Sequence, residues 1–521
     1  MSKRFYITTA IDYVNGEPHV GHAYEKVIAD VIARARRSLG AEVFFLTGVD
    51  EHGQKIQQVA QSKGLSPQVY CDELSAVWRN TATKLELTID DFVRTTDPRH
   101  KEVVQAILSK LNATGHFYKA VYKGYYSTKE ETFLTEKDRL SDGTFPASYG
   151  EVMELQEENY YFKLKDQQQW LIDYIEKNPS FIQPDYRRNE VLGFLKNNTL
   201  EDLCITRPAN RLNWGIPVPF DASFVTYVWF DALVNYVSIP AALGDPMVLA
   251  ALGKTGNGPA LWPADIHDIG KDILKFHAVY WPIMLKAMGL PLPKQLLVHG
   301  WWQKDGQKLS KTTGNVVDPF AVINEWGIDA FRFYVIRELA VGPDGNWTDA
   351  GFRGRYDAEL ANGLGNLLNR TLTMLNRYRK GIVPKRSDEL APDATKALND
   401  TRTLLEQNQL QDALASIWSL VNRANKYVED TAPFKLAKDP AQSARLDEVL
   451  YNLAESCRLL AVLLWPFIPS SAEKIYAQLG LPGVPGKLSM VTWGELTAGH
   501  MVKDPVPLFP RKDAPGAEKP K

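Results

Sequence analysis

The sequence is poor in cysteine and in histidine. Its 521 residues include only three cysteines, Cys71, Cys204 and Cys457, and nine histidines. Cysteines so far apart exclude a disulfide framework and any CxxC metal knuckle, and they suit a reducing compartment. Long hydrophobic runs are missing too: none approaches the roughly 18–20 apolar residues of a membrane span. The opening "MSKRFYITTAIDYVNG" has no apolar core followed by a small-residue cleavage site, so no signal peptide is read and a cytoplasmic location is expected. Nor does one charge dominate. The formal net charge is −2, so no global field draws the chain to nucleic acid, and such a partner would need a local basic surface. What remains is the composition of an ordinary globular protein long enough for two to four domains.

Along the chain, "FYITTAI" (5–11) is apolar and β-branched and predicts a first strand. A polar, glycine-containing loop follows, and "AYEKVIADVIARARRSLG" predicts a helix ending at Gly40. "EVFFLTG" (42–48) predicts a second buried strand. Strand, helix, strand, helix indicates an α/β fold with a doubly wound parallel sheet, whose ligands bind outside the carboxyl ends of the strands. From residue 116 the pattern turns aromatic, turn-rich and strand-like, which predicts an inserted domain over 116–225 between two halves of the sheet, 1–115 and 226–300. The sheet is expected to resume with "YVWFDALVNY", followed by a helix over "GKDILKFHAVYWPIMLKAMG" and a strand at "QLLVHG". A linking segment spans 301–350, helical patterns fill 351–500, and 501–521 is expected to be a disordered tail.

Two motifs carry chemistry. "PHVGH" places His19 and His22 where the loop after the first strand meets its helix. A helix N-terminus attracts anions through its unpaired N–H groups and its dipole. Gly21 would let a phosphate chain approach the backbone, and two imidazoles could donate to a triphosphate at an in-line transition state. Two polar surface residues near a helix cap would look the same; a metal site would need a further ligand that is not nearby. The second motif, "GQKLSKTTGN" (306–315), brackets Leu309-Ser310 with Lys308 and Lys311 in a glycine- and threonine-rich loop. Such a loop can carry two ammonium groups onto a phosphate tail, although a KxxK pair by itself is usually solvated surface. The two together at one parallel sheet make chance a poor account.

HVGH followed by KLSKT resembles the two signatures of the class I aminoacyl-tRNA synthetases. More narrowly, the chain resembles bacterial-type methionyl-tRNA synthetases, through "YITTAIDYVNGEPHVGHAY", "GVDEHGQKI", "RPANRLNWGIPVP", "YVWFDALVNY", "GKDILKFHAVYWP" and "GQKLSKTTGNVVDPF" in that order. The resemblance implies a Rossmann-type catalytic domain, an inserted connective domain and a C-terminal all-α anticodon-binding domain. It implies activation of L-methionine by ATP with Mg²⁺, and transfer of the methionyl group to tRNA(Met), the initiator included. His19 and His22 would contact the phosphates, and Lys308 and Lys311 would stabilise the leaving pyrophosphate. Gly21, Lys271, Asp272, Ser310 and Lys311 would line the ATP site. KLSKT keeps both lysines and the serine of the usual motif.

A thioether is apolar and polarizable and favours aromatic edges. His277 and Trp281 stand at i and i+4, with Ile273 one turn earlier, so a helix would present them together. Such a stripe by itself is what a buried core looks like. The resemblance implies instead a methionine pocket of Ala10, Ile11, Tyr13, Trp229, Ala232, Leu233, Tyr236, Ile273, His277 and Trp281. It also implies that Asp50 holds the substrate ammonium and that Arg207 pairs with that acid. Asp12 and Leu233 depart from the residues common in the family, without removing a polar contact.

In the helical part, residues 351–390 hold eight Lys/Arg against four Asp/Glu, a local excess that phosphate contacts favour. Asn422 and Lys426 share a helix face, which could be merely solvated. The resemblance implies that they read unstacked anticodon bases; Trp465 could be a stacking platform for such a base, and is read in preference as core. Relatives often carry zinc knuckles in the connective domain. Here the knuckle positions hold Ser127, Glu130, Phe145 and Ser148, and His116 lies outside them, so no structural zinc is expected. No appended oligonucleotide-binding module is recognised, and a monomer is expected. A small-molecule nucleotidyltransferase would need neither KLSKT nor the long helical part. The valine, leucine and isoleucine enzymes are usually far longer, the cysteine enzyme depends on zinc, and a non-catalytic tRNA-binding paralogue would not need all four motif residues.

Overall fold

The computed structural model describes residues 3–127, 132–134, 136–226, 229–304, 306–308 and 316–512. The chain divides into two compact units: Arg4–Pro18 with Phe44–His299, and Met1–Lys3 and His19–Val43 with Gly300–Lys521.

The first unit is built on a seven-stranded sheet. Its central strands run in the order Asp12–Tyr13, Glu42–Asp50, Arg4–Thr9, Ile266–Gly270, Leu296–His299 and Ile182–Gln183, with Asp91–Arg94 also paired to Glu42–Asp50. Ile266–Gly270 pairs in parallel with both Arg4–Thr9 and Leu296–His299, Leu296–His299 with Ile182–Gln183, and Glu42–Asp50 with both Asp12–Tyr13 and Asp91–Arg94. The first strand aligns Ile7 with Ile266 and Thr9 with Asp268. It is buried from Phe5 to Thr9 without alternation, as expected of a parallel strand covered on both faces. The sheet changes winding direction between Arg4–Thr9 and Ile266–Gly270, and Ala10, Asp50, Lys271 and Gly300 follow or end the adjacent strands at their carboxyl edge.

One expectation about this sheet is corrected. "YVWFDALVNY" does not resume it: described from Trp229, it opens a helix, Trp229–Ala242, that is buried on all sides. A run apolar at nearly every position fits a buried helix as well as a buried strand, and sequence periodicity does not separate them. The sheet resumes at Ile266–Gly270, a short strand with His and Asp at buried positions that hides its strand character. The inserted segment forms a four-stranded antiparallel sheet in which Phe117–Ser127 pairs along its whole length with Val152–Phe162. It also supplies the edge strand Ile182–Gln183 of the parallel sheet.

In the second unit, the first helix runs Val20–Ser38 and begins inside the HVGH motif. Asp30, on its buried face, accepts hydrogen bonds from Arg34 Nε at 2.8 Å and from Arg332 Nη2 at 2.7 Å, and Arg332 also donates to the carbonyl of Phe467. A hairpin of Trp302–Lys304 and Gln307–Lys308 adds Gly345–Trp347 in parallel. Helices then follow in succession. The central one, Ser443–Leu464, is buried at every position from Val449 onward, as a helix surrounded by others must be. The expected disorder of 501–521 is corrected over 501–512: Val502, Leu508 and Phe509 are buried, and Pro510 O accepts from the Tyr356 hydroxyl. The remainder of that tail lies outside the described residues. Among the described residues no helix is long and apolar enough to cross a membrane.

Candidate functional site

The HVGH motif forms a closed cap. His19 is extended (φ −126°, ψ 176°) and is the N-cap of Val20–Ser38. Its Nδ1 accepts from the Gly21 N–H at 3.1 Å, and His22 Nδ1 accepts from the His19 N–H at 3.2 Å. This is a capping box made of two imidazoles in place of the usual hydroxyl and carboxamide. Each Nδ1 is an acceptor, so a neutral ring carries its proton on Nε2 and offers an Nε2–H donor. The rings stack with centroids 3.8 Å apart. A Cβ at Gly21 would lie 2.9 Å from His19 Cε1, so in this structure the glycine makes room for the His19 ring. The Val20 N–H donates to Val317 O at 3.1 Å, tying the motif to the chain just after the KLSKT loop. Lys308 is described only as backbone, opposite Gln303 in the hairpin; Ser310 and Lys311 lie outside the described residues.

The predicted amino-acid residues all fall within the first unit. Tyr13 is in register with Asp50 across adjacent strands. Asp50 Oδ1 accepts weakly from Thr95 Oγ1 at 3.4 Å and from the His52 N–H at 3.5 Å. Ala10, Leu233, Tyr236 and Trp281 share one buried cluster, with Ile11 and Ile273 packed against it. Tyr236 Oη and His277 Nε2 lie 2.7 Å apart, while His277 Nδ1 is 3.0 Å from Ile273 O. The carbonyl needs a donor, so Nδ1 carries the proton and Nε2 accepts from the phenol. Trp281 is fully buried and packs 5.8 Å from Tyr236, ring to ring. Trp229 is half-buried and stacks on Phe276. Residues Phe276–Tyr280 form a π-helical turn just before Trp281, a distortion frequent at functional sites. Ala232 is buried on the same helix as Trp229.

Lys271 and Asp272 form a tight 3₁₀ turn with Ile273 at the carboxyl end of the sheet. Asp272 folds over Gly270, where a Cβ would meet its Oδ1 at 2.5 Å. Arg207 donates to Thr206 O at 2.7 Å and lies over the Tyr126 ring.

Several buried polar groups were not singled out from the sequence. His267 Nδ1 meets Thr8 Oγ1 at 2.7 Å, its ring stacks on Tyr236 at 4.2 Å, and burial holds its pKa well below the usual histidine value. His52 Nδ1 is 2.7 Å from Asp231 Oδ2, and His100 Nδ1 is 2.9 Å from Ser238 Oγ. Desolvation pushes both imidazoles down to about 3. His52 stood inside the quoted "GVDEHGQKI", but nothing local marks its partner 179 positions away.

In the helical part, Asn422 and Lys426 are both exposed on Leu410–Thr431, and Lys426 pairs with Asp430 at 3.0 Å. Trp465 is half-buried, where the sequence reading placed it in the core. Its Nε1–H donates to Glu473 at 3.2 Å and the Arg34 guanidinium lies 5.3 Å from its ring. Four of the eight basic residues of 351–390 pair with carboxylates: Arg355 with Glu338 and Glu359, Arg353 with Asp357, Arg379 with Asp447 and Arg386 with Asp388. Ser127 is buried and donates to Tyr149 O at 2.6 Å, and Phe145 packs on Tyr125 and under Arg139. Glu130 lies outside the described residues. Among the described residues no three His, Cys, Asp or Glu are grouped to hold a metal ion.

Comparison with known proteins agrees over both units. The family model "tRNA synthetases class I (M)" matches residues 5–153 and 146–372, and "Anticodon binding domain of methionyl tRNA ligase" matches 379–515. A methionine–tRNA ligase of Caldanaerobacter subterraneus is 43% identical over 98% of the chain and 80% of its own length. That of Bacillus subtilis is 42% identical over 98% and 78%. The Mycobacterium tuberculosis methionyl-tRNA synthetase, solved in complex with methionyl-adenylate, superposes with a TM-score of 0.90 at 37% identity, covering 98% of this chain and all of that one.

Proposed function

The chain belongs to the class I methionyl-tRNA synthetases, the methionine–tRNA ligases, and from that premise we propose how its own side chains divide the reaction. Methionine is activated by ATP: a carboxylate oxygen attacks the α-phosphorus, a mixed anhydride forms, and pyrophosphate leaves. The 3′-terminal ribose hydroxyl of the tRNA then takes the methionyl group and AMP is released. The tRNA is tRNA(Met), the initiator form included, and ATP enters as its Mg²⁺ complex. The enzyme works as a cytoplasmic monomer without structural zinc.

His19 and His22 donate from Nε2 to the phosphates, with Gly21 holding the cap that fixes those tautomers. Lys271, Asp272 and Ser310 hold the rest of ATP. Lys308 and Lys311 stabilise the charge that grows on pyrophosphate as it leaves, catalysis by position and charge alone. Asp50 holds the substrate ammonium, and Arg207 balances that acid. Ala10, Ile11, Tyr13, Trp229, Ala232, Leu233, Ile273 and Trp281 surround the thioether, with Tyr236 and His277 as its polar contact. Asn422 and Lys426 read the anticodon. The catalytic domain takes 1–115 and 226–300, the connective domain 116–225, the loop and stem-contact linker 301–350, and the anticodon domain 351–500.

The observation that carries this reading is the buried Tyr236–His277 hydrogen bond beside Trp281, in the same unit as Asp50. It supplies one oriented polar pair in an apolar setting, which is what recognition of a thioether requires. The test is ATP–pyrophosphate exchange with each of the twenty amino acids. Exchange with methionine alone is expected, and comparable exchange with a branched aliphatic amino acid would overturn the pocket. Lys311→Ala should lower kcat far more than it raises the methionine KM; wild-type adenylate formation would remove it from the transition state.

A further inference from the structure

The helix Trp229–Ala242 has two buried faces with different chemistry. Trp229, Ala232, Leu233 and Tyr236, at i, i+3, i+4 and i+7, form the stripe assigned above to the thioether. Asp231, Asn235 and Ser238, at i, i+4 and i+7, form a second stripe that is polar and at most 1% exposed. Burying polar groups costs free energy unless each is paired, and this stripe is paired at two points two turns apart. Asp231 Oδ2 takes His52 Nδ1 at 2.7 Å, and Ser238 Oγ takes His100 Nδ1 at 2.9 Å. Because a helix turns through about 100° per residue, the two contacts fix its rotation as well as its distance from its neighbours.

The His52 contact comes from an informative place. His52 lies two residues after Asp50, and its N–H points to Asp50 Oδ1. The residue between them, Glu51, is fully buried and held by Arg94 Nε at 2.8 Å and by Thr96. The His52 ring packs edge-on against Trp214, centroids 5.6 Å apart. Asp50-Glu51-His52 is therefore anchored at every residue, and the side-chain hydrogen bond between His52 and Asp231 ties it to the pocket helix. Burial lowers the pKa of the imidazole and raises that of the Asp231 carboxyl, so the contact is a hydrogen bond between two desolvated groups in a dry environment, where geometry is strongly enforced.

We propose that His52 is a positioning residue for amino-acid selection. Through its hydrogen bond with Asp231 it locks the loop that presents Asp50 to the first turn of the pocket helix, and so sets the span between the ammonium and thioether ends of the substrate. The proposal rests on the assignment of Asp50 to the ammonium. A fixed span rejects side chains of the wrong length; a loose one accepts them. One methylene in an apolar pocket discriminates by about 10–200-fold when the pocket is rigid, and loss of the clamp removes part of that factor.

The test compares kcat/KM for L-methionine with kcat/KM for L-ethionine, one methylene longer, in pyrophosphate exchange. The ratio of the two is independent of the fraction of folded enzyme, so a merely destabilised protein leaves it unmoved. His52→Ala is expected to lower the ratio about tenfold. His52→Asn, whose amide nitrogen can sit where Nδ1 was, is expected to stay within about twofold of wild type. Asp231→Ala reads the same contact from its other partner, and the double variant should fall no further than either single one. A ratio unchanged in both His52→Ala and Asp231→Ala overturns the clamp. Asp50→Asn serves as the control: a wild-type methionine KM there would refute the ammonium assignment, whereas a large loss on both amino acids, with the His52 result negative, would refute the clamp alone.

Discussion

His22 Nδ1 accepts a hydrogen bond from the backbone N–H of His19, and His19 Nδ1 accepts one from Gly21, so the two imidazoles cap the helix that they begin. One atom of each ring serves the fold, which commits the other, Nε2–H, to donation. Capping and catalysis are thus separable within one side chain. Asparagine at position 19 is a good N-cap and keeps an acceptor for Gly21, but it has no donor at the Nε2 position. His19→Asn should unfold at nearly the wild-type temperature and lose about 10²–10³-fold in kcat for adenylate formation, the scale of one transition-state donor. Wild-type kcat in the folded variant would leave His19 as a cap and nothing more.

The Tyr236–His277 pair makes a prediction about specificity. Tyr236→Phe removes the hydroxyl that meets His277 Nε2 and leaves a buried acceptor unsatisfied, a cost of about 1–3 kcal/mol. We expect the methionine KM to rise by more than the ATP KM. Trp281→Phe, which shrinks an aromatic wall that is fully buried, should act in the same direction. Unchanged methionine KM values in pyrophosphate exchange would show that both side chains are core and not pocket.

Asn422 and Lys426 are exposed on one face of Leu410–Thr431. Replacing both by Ala touches no buried contact, and surface changes of this kind usually alter stability by about 0.5 kcal/mol or less. Aminoacylation of tRNA should be impaired while pyrophosphate exchange continues at the wild-type rate. Parallel losses in the two assays would contradict a role confined to the anticodon.

Acid should destabilise the fold through buried histidines. His100 is depressed to about 3 and His267 lies well below the usual value, in both cases through burial. An unfolded chain takes up a proton at each of these sites below about pH 6.5, while the folded chain does not. Their contribution is therefore fully present above about pH 6.5 and is lost as pH falls toward the folded values. Each contributes a slope of about 1.4 kcal/mol per pH unit inside that window. Urea titrations between pH 6 and 5 should show a shallower slope in His267→Asn than in wild type, by about that amount. Identical slopes would mean that His267 is protonated in the folded protein.

The knuckle positions predict an enzyme without zinc. Ser127 is buried and hydrogen-bonded to Tyr149 O, and Phe145 packs on Tyr125 with the Arg139 guanidinium over both rings, so packing occupies positions that a metal would otherwise cross-link. Elemental analysis of dialysed protein should find no stoichiometric zinc, and a zinc-selective chelator should leave exchange activity unchanged. One equivalent retained through dialysis, or activity lost to the chelator, would overturn this.

Much of the molecule follows from local pattern. The first helix, the strands Arg4–Thr9 and Glu42–Asp50, the HVGH and KLSKT motifs and the long C-terminal helices are visible because periodicity, caps and motif spacing are properties of neighbouring residues. Family membership was legible for the same reason: it rests on contiguous segments such as "GVDEHGQKI" and "GKDILKFHAVYWP". Other features were decided only when distant segments met. "YVWFDALVNY" became a helix because burial on every side satisfies helix and strand patterns alike. Ile266–Gly270 took the centre of the sheet by pairing with a strand some 260 positions earlier. Within 351–390, Arg355 and Arg379 found Glu338 and Asp447, while Glu359 and Glu389 found Arg337 and Arg445, none of which a count over that window includes. His52 found Asp231, and Asp30 found Arg332 302 positions away. Charge pairing and the burial of polar side chains depend on which surfaces come into contact, and that is a property of the tertiary structure alone.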